Sequence, residues 1–215
     1  QNDFCPPDGS LAVADGRDIA PAINELLELP FALKLATRDF HPRDHVSFAS
    51  NHTGKKPFTD SHTFTNPENP EEKETTLLWP DHCVQGTPGC ELISELDTSK
   101  LDFVQDKGQD KRVESYSAFG PPFQNPEISM SGLYQRLIQA GITDVFCCGL
   151  AFDYCVKHTA VDAAKKGFKT YVIEDATKGI ERTSDGHAAT LEAYREVGVR
   201  VISTTAEELQ NFGIA

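Results

Sequence analysis

The C-terminal half of the chain sets the tightest limit on its fold. Between Thr143 and Ser203, short apolar runs rich in strand-forming residues alternate with segments of helical spacing. Residues 143–149, 168–173 and 199–203 read as strands, and residues 154–166 and 186–196 as the helices between them, with Gly167 and Gly198 at the helix ends. Strands alternating with helices of about 10–15 residues predict a parallel sheet with helices on both faces. Upstream, residues 18–29 have helical spacing with Pro21 in the first turn, residues 31–37 and 101–106 read as strands, and residues 129–140 as a helix stopping at Gly141. A last helix is predicted near 205–211. This makes five strands. Gln1 to Phe4 reads as the end of a sixth, whose earlier part lies ahead of Gln1. The expected fold class is therefore α/β: an open parallel six-stranded sheet, its first strand largely outside the sequence, in one domain over residues 1–215. A polar stretch at about 51–76, with Pro57, Pro67, Pro70 and the run Glu71 to Glu74, breaks the rhythm and is expected to be a surface insertion or lid.

Bulk properties exclude several classes of function. Hydrophobic residues at 39% and charged residues at 25% indicate a globular chain. The net charge of −13, with no basic stripe, argues against nucleic acid. No apolar run approaches the roughly 20 residues that cross a bilayer. The six cysteines include the adjacent pair Cys147 and Cys148 inside a predicted strand, which does not resemble a disulfide framework. Reduced thiols and an intracellular location are expected. Asn51, His52 and Thr53 match a glycosylation triplet, a pattern common by chance.

Cys155 stands apart from the other thiols. It falls where strand 143–149 gives way to helix 154–166, at the carboxyl edge of the predicted sheet, where open α/β proteins bind ligands. Free N–H groups and the partial positive charge of a helix N-terminus favour a thiolate there. Lys107, after strand 101–106, is a candidate cation at the same edge, positioned to lower the thiol pKa further. Asp39 and His41 follow strand 31–37 two residues apart, so in extended backbone their side chains point the same way. With His82 from another loop they form a set of one carboxylate and two imidazoles. Such a set suits a divalent metal, zinc first, with iron(II) and manganese(II) as alternatives. His45 is a further ligand candidate or a loop residue. Glu114 is a ligand, an orienter of metal-bound water, or surface charge. Phe4, Trp79, Tyr154 and the segment Tyr116 to Phe119 are aromatic groups able to wall a flat heterocycle.

Together these segments resemble the nicotinamidases of the isochorismatase-like cysteine hydrolase superfamily, and within them the fungal or eukaryotic branch. The matching pieces are QNDF at 1–4, TRDFHPRDHVSF at 37–48, LWPDHCVQGTPG at 78–89, DKG at 106–108, ESYSAF at 114–119 and GLAFDYCVKHTA at 149–160. The resemblance implies hydrolysis of nicotinamide to nicotinate and ammonia in NAD salvage, through a thioester on Cys155, with Lys107 as its charged partner. It implies a metal on Asp39, His41 and His82 that holds the ring nitrogen, and a ring pocket of Phe4, Leu11, Trp79 and Tyr154. It implies a cis peptide before Ala151 and an oxyanion hole from the N–H groups of Ala151 and Cys155. A small-molecule substrate, homo-oligomeric assembly and a cytoplasmic, nuclear or peroxisomal location complete what it implies. One departure is clear: the family's triad aspartate lies two residues ahead of the QNDF motif, outside this sequence, and Asp3 is not its equivalent. The competing readings are an amidase for pyrazinamide or a carbamoyl compound, and a catalytically silent metal-binding relative.

Overall fold

The structure is a computed structural model, described here for residues 1–210. Five strands run parallel, in two hydrogen-bonded groups. β1 (Leu35–Asp39) pairs with β4 (Phe103–Lys107) in register from Leu35 opposite Phe103 to Asp39 opposite Lys107. β5 (Asp144–Leu150), β6 (Lys169–Lys178) and β7 (Arg200–Ile202) form the second group in that order. The helices are α1 (Ala20–Glu28), α2 (Leu133–Gln139), α3 (Cys155–Lys165), α4 (Ser184–Glu196) and the short α5 (Glu207–Gln210). No helix among the described residues is long and apolar enough to cross a membrane, and all six cysteines are free.

Local chemistry explains most boundaries. Pro21 sits in the first turn of α1, where its missing N–H costs nothing. Thr183 caps α4 by accepting the Gly186 N–H. α3 ends before Gly167, whose φ of 94° suits the left-handed turn that closes a helix. Four expectations need correction. Gln1 to Phe4, expected as the end of a strand, holds a 3-10 helical turn at Asn2–Phe4. The strand expected at 31–37 starts only at Leu35. The helix expected from Ser129 starts at Leu133, because Ser129 and Gly132 both have positive φ, 50° and 77°, which no helix continues. The final helix covers only Glu207–Gln210 of the expected 205–211, and residue 211 lies outside the described residues.

The stretch expected to be an irregular insertion is an antiparallel hairpin, β2 (Ser61–Asn66) with β3 (Asn69–Leu77). Its side chains are polar because most face solvent, and Thr63 and Thr75 bond across the pair through their hydroxyls. The hairpin is fastened to the body by apolar and polar contacts. Phe64 is buried against Val113, Phe123 and Ile128, and the side-chain amides of Asn66 and Asn69 donate to the carbonyls of Pro126 and Asn125.

Candidate active site

The register of β1 and β4 puts Asp39 directly opposite Lys107 at the strand ends. The Lys107 ammonium lies 2.5 Å from Asp39 Oδ1 and 3.4 Å from Cys155 Sγ, and it donates to the Ser115 carbonyl at 3.1 Å. Lys107 is buried, so desolvation works against its charge. The charges of Asp39, Cys155 and Glu114 outweigh that penalty and hold its pKa above the ordinary lysine value. Asp39 is held well below the usual carboxylate range: its own burial is overcome by the Lys107 ammonium and by the imidazoles of His41 and His82 beside it. The side-chain amide of Gln1 pins this strand end, donating to the Asp39 carbonyl and accepting the Asp39 N–H, each at 2.7 Å.

The other Asp39 oxygen faces the two imidazoles, 3.6 Å from His41 Nε2 and 3.7 Å from His82 Nε2. Each ring is fixed from behind. His41 Nδ1 meets the Gly108 carbonyl, and His82 Nδ1 the Pro80 carbonyl, both at 2.8 Å. A carbonyl can only accept, so both rings carry their proton on Nδ1 and turn the Nε2 lone pair toward Asp39. Metal-bound histidines are held in this way. Asp39, His41 and His82 are all buried, with ligand atoms within 4.8 Å of one another. Their donor set and orientation fit a divalent cation. Gly108 shapes this pocket: its φ is +64°, and a Cβ there would lie 2.3 Å from His41 Cε1.

Cys155 is the first residue of α3, as the sequence suggested. The expectation of a lowered thiol pKa is corrected. Burial dominates and pushes Cys155 up to about 12; Lys107 pulls it down, and Asp39 pushes it further up. A helix end and a shared lysine do not outweigh a desolvated sulfur whose cation is already paired with Asp39. The resting group is therefore the thiol. The peptide before Ala151 is cis, as the resemblance implied.

The remaining candidates fall into place around this centre. Phe4, Leu11 and Trp79 are buried in one cluster, with Tyr154, Tyr116 and Ile180 packed against it. Trp79 and Tyr154 meet edge to face at 4.9 Å, and Phe4 lies 5.5 Å from the His82 ring. Glu114 is buried, and its Oε1 accepts the Ser115 N–H; it is not in the metal triplet. His45 also lies outside the triplet. Its ring lies tilted 4.1 Å from that of His41, and its Nδ1 faces Ser47. Burial presses it down to about 2, so it is neutral. Sequence reasoning missed two polar anchors. The Thr76 hydroxyl and the Trp79 indole N–H both reach the Tyr116 hydroxyl, at 2.7 and 2.8 Å. The Ser115 carbonyl steadies Lys107. Thr76 sits on a polar hairpin, so nothing in its local sequence marked it.

This geometry can be set beside known proteins. The isochorismatase domain model matches residues 1–206. The chain belongs to the isochorismatase family. Among relatives in that family, a nicotinamidase of Acinetobacter baylyi is 42% identical over 181 residues, covering 84% of this chain and 78% of its own. A nicotinamidase of Schizosaccharomyces pombe is 37% identical over 214 residues, covering 98% and 93%. The crystal structure of the yeast nicotinamidase Pnc1p bound to the inhibitor nicotinaldehyde superposes with a TM-score of 0.87 at 31% identity, covering 94% of this chain and 95% of that one. A pyrazinamidase of Pyrococcus horikoshii in complex with zinc gives 0.70 at 31% identity, covering 94% of each.

Proposed function

We propose that this protein is an amide hydrolase that converts nicotinamide to nicotinate and ammonia as a step in NAD salvage, with residues 1–215 acting as one catalytic domain. One observation carries the reading: a single chain of contacts runs from Cys155 through Lys107 to Asp39 and on to His41 and His82, beside an aromatic cluster. The family relatives that share this scaffold include nicotinamidases.

Asp39, His41 and His82 would hold a divalent metal, zinc by preference, and that ion would supply a Lewis-acid anchor for a ring nitrogen. Phe4, Leu11, Trp79 and Tyr154 enclose the ring and exclude water. Fixed in this way, the carboxamide carbon meets Cys155 at high effective concentration, which lowers the barrier by several kcal/mol. Because the resting sulfur is a thiol, attack needs a base. Among the described residues only Lys107 is hydrogen-bonded to Cys155, and a cation cannot take a proton. The resemblance gives that task to an aspartate two residues ahead of Gln1, and Lys107 then stabilises the thiolate.

The Sγ–carbon bond forms as the carbonyl becomes an oxyanion, held by the N–H groups of Ala151 and Cys155, a contribution of roughly 3–4 kcal/mol. The proton passes to nitrogen and the carbon–nitrogen bond breaks, releasing ammonia. Water then cleaves the thioester, giving nicotinate and restoring the thiol.

Ammonia release on adding nicotinamide to the full-length protein tests the reading directly. Turnover is expected with nicotinamide and, given the pyrazinamidase relative, with pyrazinamide. Absence of ammonia from either amide, with metal supplied, overturns it.

A further inference from the structure

The turn that delivers Cys155 is held from behind by groups that no step above uses. Phe152 donates its N–H to the Lys178 carbonyl at 2.9 Å. Its carbonyl accepts the Tyr194 hydroxyl at 2.8 Å, and both partners of that bond are buried. Its ring is stacked on His187 at 5.1 Å and meets Tyr194 edge to face at 5.4 Å. Tyr194 and His187 both belong to α4, so this helix grips one residue of the turn on its ring and on its carbonyl. Asp153 is buried too. One of its oxygens accepts the Ile180 N–H at 3.0 Å and the other the Glu181 N–H at 2.6 Å. Both carboxylate oxygens are thus committed to the loop that follows β6, and neither bonds to Lys107 or Cys155.

These bonds fix a segment whose freedom matters. Residues 151–155 carry the cis peptide before Ala151 and the sulfur that stands 3.4 Å from Lys107. A small rotation of the turn takes Sγ off the ammonium and moves both backbone N–H groups, and a displacement near 1 Å can cost about a hundredfold in rate. We propose that Tyr194 and Asp153 are positioning residues: they brace the turn against α4 and the loop after β6, and so keep Cys155 in reach of Lys107. This rests on the reading of Cys155 as the reacting group.

The test uses Tyr194→Phe, which removes one hydroxyl and leaves the packing, with Asp153→Asn as a second variant. Thr190→Val serves as control. Thr190 is a buried residue on α4 whose hydroxyl bonds to Gly186 O and not to the turn. Two quantities are read in the full-length protein: the iodoacetamide alkylation rate of the peptide carrying Cys155, at fixed pH, and kcat and KM for nicotinamide. Tyr194→Phe is expected to slow alkylation several-fold and lower kcat about tenfold with KM within twofold; Asp153→Asn follows the same direction. Thr190→Val is expected to shift the melting temperature alone. Alkylation and kcat unchanged or raised in a folded Tyr194→Phe protein, or lowered equally by Thr190→Val, overturn the proposal. Should wild-type protein release no ammonia, the amidase reading falls, while the alkylation arm still decides whether the brace holds the thiol.

Discussion

At the residue scale, the lone tryptophan makes binding and chemistry separable. Trp79 is the only one in the sequence and sits in the aromatic cluster, so its fluorescence reports ring binding without turnover. Cys155→Ala is expected to abolish ammonia release while nicotinamide still quenches Trp79 with an affinity within a few-fold of wild type. Residual turnover above about a thousandth of wild type would remove the sulfur from the mechanism. Gly108→Ala addresses the metal triplet. The added methyl meets the His41 ring in a backbone conformation already strained for an L side chain. Metal content by elemental analysis is expected to fall at least tenfold relative to wild type, with the fold intact by circular dichroism. The candidate site residues were the most legible part of the chain. Asp39 and His41 were paired by two-residue spacing after a strand, and Cys155 by its place at a strand-to-helix junction. The protonation state of Cys155 was not legible. It depends on how deeply the sulfur is buried and on which partner already holds Lys107, and both are set by distant segments.

At the scale of elements, periodicity located the β5 to β7 unit with its two helices, because apolar runs and glycine stops lie close together in sequence. It failed on the hairpin. β2 and β3 carry Thr, Glu, Lys and Asn toward solvent, so their pattern reads as a loop, and the one apolar side chain they bury is Phe64. That one side chain should accordingly matter. Phe64→Ala is expected to lower stability by about 3–5 kcal/mol in urea unfolding, since a buried ring leaves a cavity among Val113, Phe123 and Ile128. A loss below about 1 kcal/mol would mean the hairpin is held by its polar contacts.

At the scale of the molecule, stability should fall in alkali for a reason visible in β5. Burial pushes Cys147 up to about 12, aided by Cys148, and Cys148 itself up to about 11. In the unfolded chain both thiols ionise near 8.5. Above that pH the unfolded state gives up its protons first, while the folded state keeps them. The stabilisation is complete below about 8.5 and declines as pH climbs toward the folded values. The urea midpoint is expected to drop between pH 8 and pH 10, and less steeply in Cys147→Ala; an equal slope in both proteins would assign the effect elsewhere.

The middle place of β6 has a dynamic consequence. β6 has a parallel neighbour on each side, from Tyr171 to Ile173, and Val172 within it is wholly shielded. Deuterium should therefore enter last at Tyr171, Val172 and Ile173. Such an order would place the most persistent part of the protein on the side of α3 and α4, under the sulfur.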